Sequence, residues 1–229
     1  LANARGIAYL DEKGYTTMVF EEISMLHPTL PNIKADYLFR YNHNSSEDLG
    51  TLFDEYGMLV ADTTMAYAFE RQYKVDNPHD LMHRDFLYFV KARLPNLDDV
   101  PGPRFVYAHL MIPHQPFMFD RNGALIDSAF FRSWNSYEGQ YIYTMKYIEE
   151  LVTDILKNAD PANPPIIILQ SDHGARIRKN NEELPGFPQD MLRNILFAVY
   201  LPGYDISTIP QDVNPINTLP IVFNHYFGE

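Results

Sequence analysis

The spacing of apolar residues changes period along the chain, and each change marks an element boundary. In LANARGIAYLDEKGY, Ile7, Ala8 and Leu10 stand among polar residues and the run closes on Gly14. That pattern predicts an amphipathic helix with a glycine C-cap. TTMVF follows as a short strand, so the chain opens on a helix-then-strand α/β unit. From Glu21 to about Asn44 the spacing is irregular and punctuated by HPTLPN, which reads as a surface excursion. Residues 46 to 70 mix helical spacing with glycine breaks, and Ser46, Glu47 and Asp48 suit a helix start. Asp80 to Leu94 is a clearer helix, with Leu81, Phe86, Phe89 and Val90 on or near one face.

PRFVYAHLMI is a nearly continuous apolar run bounded by PGP and Pro113, the pattern of a strand buried on both faces of a parallel sheet. A loop, PHQPFMFDRNG, comes next. The strongest helical pattern spans residues 136 to 158, with Ile142, Met145, Ile148, Val152 and Ile155 at three- and four-residue spacing. PPIIILQ and NILFAVYLPG repeat the buried-strand signature, and NTLPIVFNHYFG predicts a final helix whose regular part lies around and after Pro220. Strands joined by long helices predict an α/β fold, with a mainly parallel sheet and helices on both faces, built as one domain over residues 1–229. Ligands of such open sheets gather at the carboxyl ends of the strands. Two loops qualify: those starting at Pro113 and at Ser171.

Composition narrows the partners. A formal net charge of −12 with no basic stripe argues against a nucleic-acid partner, whose binders concentrate Lys and Arg against phosphates. An acidic chain still accommodates an anionic ester where a cation or a local Arg reverses the field. The absence of cysteine removes disulfides, thiolate zinc sites and a cysteine nucleophile, so any metal must be held by His, Asp or Glu. No apolar run reaches the roughly 18 residues of a membrane span. The first residues carry neither a signal-peptide pattern nor an initiator Met, which leads us to expect a piece of a longer protein.

Within the two loops, Asp172 and His173 follow strand-like residues directly and precede Gly174, so they leave the sheet where the backbone turns. Carboxylate oxygen and imidazole nitrogen suit a hard or borderline divalent ion such as Zn, Mn or Mg, and two ligands make half a site. The same residues also fit a helix cap and a histidine packed at the sheet end. His114 lies at the matching edge of the preceding strand, stiffened by Pro113 and Pro116, where an imidazole suits an ester oxygen or a leaving group; a surface histidine in a proline turn reads the same way. Arg176, three residues past His173, offers bidentate hydrogen bonds to phosphate or sulfate. Arg178 and Lys179 extend this positive cluster or form a solvated loop. His109, inside an apolar strand, reads as a core histidine, and His27, His43, His79, His83 and His225 as surface residues. Tyr141, Tyr143 and Tyr147 read as core or interface aromatics.

Taken in order, YAHLMIPHQPFMFDRNG, the helix carrying Gln140, IIILQSDHGAR, RNILFAVYLPG and INTLPIVFNHYFG resemble the sulfatase-like branch of the alkaline phosphatase superfamily. The similarity is greatest to bacterial membrane-anchored sulfatase-like proteins, which are related to lipoteichoic acid synthases and phosphoethanolamine transferases. It covers roughly residues 100 to 229, with a weaker echo in LANARGIAYLDEKGY. The resemblance implies an α/β/α sandwich in which a Thr, Ser or formylglycine nucleophile attacks phosphorus or sulfur beside one or two divalent ions (Zn, Mn, Mg or Ca). It places Asp172 and His173 among the metal ligands and His114 near the substrate, with Arg176 a weaker substrate match. It further implies a small anionic ester or a lipid or glycan head group as substrate, and a membrane-anchored parent on the periplasmic or extracellular face.

The sequence departs from that pattern at its start. The family's first acidic ligand and its nucleophile would precede Leu1. Thr63 and Thr64, in ADTTMAY, follow the opening helix and strand and lack the expected order, so neither is assigned. Two expectations follow: an N-terminally truncated part of an ester hydrolase or phospho-group transferase, itself without turnover, or a non-catalytic binding or regulatory domain that retains the fold.

Overall fold

A computed structural model describes residues 5–22, 35–41, 78–127, 133–179, 182–183, 189–210 and 213–228. The chain divides into two compact units, Leu1–Met111 and Ile112–Glu229. The predicted helix over residues 46 to 70, and with it Thr63 and Thr64, lies outside the described residues.

In the first unit, α1 (Arg5–Glu12) leads through a tight cap into β1 (Thr16–Glu22). Gly14 takes φ +78°. Its N–H donates to Asp11 O at 2.9 Å and that of Tyr15 to Leu10 O at 2.9 Å, the paired bonds that satisfy a helix's last carbonyls when a glycine turns left-handed. β1 pairs in parallel with β2 (Tyr37–Tyr41) on one side and with β3 (Arg104–His109) on the other. As the middle strand, it buries successive residues on both faces: Thr17, Met18, Val19 and Phe20 are all at most 6% exposed. Phe20 stacks on Phe39 of β2 at 4.6 Å, and both lie within 6.2 Å of Phe89 on α2 (Pro78–Arg93). The Asp36 carboxylate accepts bonds from Thr17 N at 2.7 Å and Thr17 Oγ1 at 2.8 Å, fastening the start of β2 beside β1.

Three expectations change here. β2 lies inside the stretch read as irregular; YLFRY becomes a strand by pairing with β1, a long-range interaction that local proline signals mask. The doubly buried strand is β1 rather than β3, whose residues are half-buried or exposed because, among the described residues, only β1 pairs with it. His109 is therefore exposed and not a core residue, whereas His83, read as a surface residue, is 4% exposed on α2 beside Phe86 and Leu87.

The second unit is organised around α3 (Trp134–Asn158), started by Ser133, whose hydroxyl accepts a bond from Ser136 N. The helix is where the sequence puts it, but its inward stripe is not. Ser136, Gly139, Gln140, Thr144, Tyr147 and Leu151 are buried, whereas Ile142, Met145, Ile148, Val152 and Ile155 are half-buried one step around the helix. Tyr141 is 44% exposed, Tyr143 is half-buried and Tyr147 is 2% exposed. Within this inward stripe Gln140 bonds backbone groups of the loop beneath it, as described below.

β4 (Ile167–Gln170) pairs antiparallel with β7 (Phe197–Tyr200), and β5 (Arg178–Lys179) pairs antiparallel with β6 (Glu182–Glu183). IIILQ and NILFAVY are thus strands but not parallel neighbours, and β7 alternates half-buried with exposed residues as a one-sided strand does. The register sets Arg178 opposite Glu183 and Lys179 opposite Glu182, so these two basic residues belong to a hairpin and not to an open loop. α4 (Thr218–Phe227) holds Pro220 in its first turn, where no intrahelical N–H bond is lost, and ends on Gly228 at φ +73°. The whole is an α/β fold with a parallel three-stranded sheet. Among the described residues no helix is long and apolar enough to cross a membrane.

Burial pushes the Tyr147 phenol well above its ordinary value of 10.0, with Tyr143 adding to the shift. The unfolded chain then releases this proton near pH 10 while the folded chain keeps it, so stability is intact below that pH and falls as pH rises above it. A Tyr147→Phe variant should lose less stability than the wild type between about pH 9.5 and 11.5 in urea titrations. Parallel loss in both proteins would show that the phenol is not shielded.

Candidate active site

The Asp172–His173 turn is pinned at both ends by one neighbouring segment. Past the last β4–β7 pair, Ser171 N donates to Leu196 O at 3.0 Å, and Leu196 N donates back to Ser171 Oγ at 2.9 Å. On the far side, Gly174 N donates to Leu192 O at 2.8 Å. A Cβ built on Gly174 would lie 1.9 Å from Met191 O and 2.6 Å from Asn194 O, so the fit of this turn depends on glycine having no side chain. Ala175 and Ile177 then turn inward at 8% and 2% exposure, with half-buried Arg176 between them.

Asp172 and His173 stay outside, with side chains 90% and 42% exposed. Asp172 Oδ1 accepts a bond from His173 N at 3.0 Å. His173 Nδ1 is 2.7 Å from Gly174 O, and since a carbonyl only accepts, Nδ1 carries a proton, so in the neutral ring Nε2 is the nitrogen with the lone pair. Asp172 Oδ2 and His173 Nε2 are the two donor atoms left, and they stand 3.9 Å apart. Two ligands of one tetrahedral ion, each about 2.0–2.1 Å from it, would be about 3.4 Å apart, so the pair can share one divalent ion with a small rotation. They fit as two ligands of a set. Among the described residues no group of three or more His, Asp or Glu gathers around an ion.

The second predicted loop is also well fixed. Phe117, Met118 and Phe119 are buried in succession, and the chain turns back through Asp120, whose Oδ1 accepts bonds from Asn122 N and Ala124 N. Gly123, at φ +84°, lies against the Tyr143 ring. The loop seats on α3 through Phe117 against Tyr137 at 5.4 Å and Phe119 against Tyr143 at 5.1 Å. Gln140, fully buried, accepts bonds from Met118 N at 2.7 Å and Phe119 N at 3.2 Å, and donates to His114 O at 2.9 Å. His114 is exposed and turns Nδ1 to the Gln115 carbonyl, which again leaves Nε2 as the acceptor nitrogen.

Both histidines thus share one tautomeric arrangement. Asp172 and His173 are brought together, whereas no hydrogen bond or ion pair joins His114 to either of them. In the sequence Gln140 stands only as a landmark of the motif helix: apolar spacing puts the inward face one step away, so hydropathy carries no signal for it. A shallow depression of about 560 Å³ beside α4 is lined by Pro210, Val213, Asn214, Asn217, Pro220, Ile221 and Asn224. Among the described residues that line it there is no acid, base or nucleophile.

The chain thus combines a parallel three-stranded sheet with an Asp-His turn held at the end of the antiparallel β4–β7 pair. The family model described as Sulfatase matches residues 7–199, and the chain belongs to that family. No curated protein and no solved structure matches it. The match begins in α1, well ahead of the region near residue 100 where the sequence motifs become dense.

Proposed function

We propose that this chain supplies the ion-binding and anion-binding loops of a hydrolase or group transferase that acts on phosphate or sulfate esters. The observation that carries the reading is the convergence of Asp172 Oδ2 and His173 Nε2 in a turn fixed on both sides. Asp172 and His173 would hold a divalent ion, Zn, Mn, Mg or Ca, together with ligands from outside the described residues. When bound, the ion supplies positive charge against the oxyanion that develops at phosphorus or sulfur. With a second proton on Nε2, the His114 imidazolium would donate from Nε2 to an ester oxygen and deliver that proton to the leaving group. Arg176 adds a fixed cation suited to a tetrahedral anion. The nucleophile would likewise come from outside the described residues.

The substrate class that fits is a small anionic ester or the head group of a lipid or glycan. With the resemblance to membrane-anchored sulfatase-like proteins, we propose that the protein works on the outer face of a bacterial membrane. In the full-length protein, p-nitrophenyl phosphate or p-nitrophenyl sulfate should be hydrolysed with added Mn or Zn, and a chelator should abolish the reaction. His114→Ala should lower kcat/KM about 100-fold. Hydrolysis that survives both the chelator and His114→Ala would overturn the proposal; ion binding with no turnover would favour a binding or regulatory domain.

A further inference from the structure

Gln140 is the only side chain reaching both ends of the His114 loop through bonds among the described residues, and its amide is fully buried. We propose that Gln140 is a positioning residue of the site: it sets the backbone that carries His114 and so the direction in which the His114 imidazole meets an anionic ester. The inference rests on the ester-cleaving reading above.

The amide orientation follows from chemistry. Met118 and Phe119 present N–H groups, which require the oxygen, and His114 presents a carbonyl, which requires the NH2. A flipped amide would set donors against donors and oxygen against oxygen. The clamp's bonds fall on His114, Met118 and Phe119, and the loop is flanked by buried Ile112 at 8% and Phe119 at 0% exposure, while His114 itself stays exposed. A loop held at both ends keeps its exposed histidine from exploring alternatives, which matters because small displacements of a reacting group cost large factors in rate. Thr144, one turn further along α3, returns its hydroxyl to Gln140 O at 2.7 Å and takes no part in the clamp.

Gln140→Glu separates positioning from packing, because it keeps shape and the two acceptor bonds but replaces the donor to His114 O. An ionised carboxylate would meet that carbonyl with like polarity; a protonated one would donate to it and restore the bond, and burial raises the pH at which that happens. The experiment measures kcat/KM for p-nitrophenyl phosphate and sulfate in the full-length protein, expressed as the ratio of Gln140→Glu to wild type from about pH 9 to about pH 5. His114 ring signals are followed by NMR on 15N-histidine-labelled samples over the same range. The expected result is a ratio near 0.1 or below at high pH, about a tenfold loss or more, that recovers toward 1 as pH falls, with a matching step in the His114 signals.

A ratio that stays near 1, or one that is lowered equally at every pH alongside a lower melting temperature, would overturn the proposal in favour of a packing role. If the wild type itself shows no turnover, the ester-cleaving reading fails separately. The His114 signals then decide: a pH-dependent displacement in Gln140→Glu supports positioning, and spectra that overlay the wild type refute it.

Discussion

Gly174→Ala is expected to be the most damaging single methyl group that can be added to this site. The new Cβ would meet two backbone carbonyls, Met191 O at 1.9 Å and Asn194 O at 2.6 Å, and neither can rotate aside as a side chain would. Relief requires the segment after Gln189 to move, which breaks the Gly174 N to Leu192 O bond and loosens Ser171 from Leu196. Forced overpacking of this kind costs about 3 kcal/mol or more, which corresponds to a fall of roughly 6–12 °C in melting temperature for a chain of this size. Gly203→Ala is the control. Gly203 has φ +76° but open space where a Cβ would go, so it pays only the left-handed strain of about 1 kcal/mol. Differential scanning calorimetry of the two variants checks the ordering; equal losses would show that the turn is not closed around Gly174.

The two variants also show why some of the structure was legible in the sequence and some was not. Elements with strong local signals were found: α1 with its Gly14 cap, TTMVF as β1, α2, α3, and the strands of IIILQ and FAVY. What failed depended on partners distant in sequence. YLFRY is a strand only because β1 lies beside it, and FVYAH, although apolar, is half-buried or exposed because it has one neighbour among the described residues. The inward face of α3 was misjudged by one step because apolar periodicity assumes that burial favours the aliphatic stripe. Here Gln140 and Thr144 turn inward, and Gln140 answers backbone groups of a loop more than twenty residues away, a demand that hydropathy does not encode.

The candidate site was more legible than the sheet around it. Asp172, His173 and Gly174 follow a strand directly, so their position at its end could be read from order alone. Their geometry could not: the two anchors come from Leu192 and Leu196, and the tautomer of His173 depends on the Gly174 carbonyl. Membership of the Sulfatase family accords with the order of motifs, and the match over residues 7–199 extends it into the first α/β unit.

The second large effect concerns the pair itself. Asp172→Ala removes the carboxylate and His173→Ala the imidazole, and neither side chain is buried, so the fold should tolerate both losses with melting temperatures near wild type. Activity should not tolerate either. Loss of an ion's charge beside a developing oxyanion is worth several kcal/mol, and about 4 kcal/mol corresponds to a 10³-fold fall in kcat/KM. Asp172→Asn is the sharper probe, since it keeps an oxygen in place and removes only the charge.

The most direct test is therefore binding of the ion without reference to turnover. Isothermal titration of Mn or Zn into the full-length wild type, Asp172→Ala and His173→Ala proteins should show a site in the wild type whose affinity falls more than about 100-fold in each variant, since even loss of a residue that only orients a ligand costs 10 to 100-fold. Equal affinity and stoichiometry in all three proteins would contradict the assignment of Asp172 and His173 as ligands.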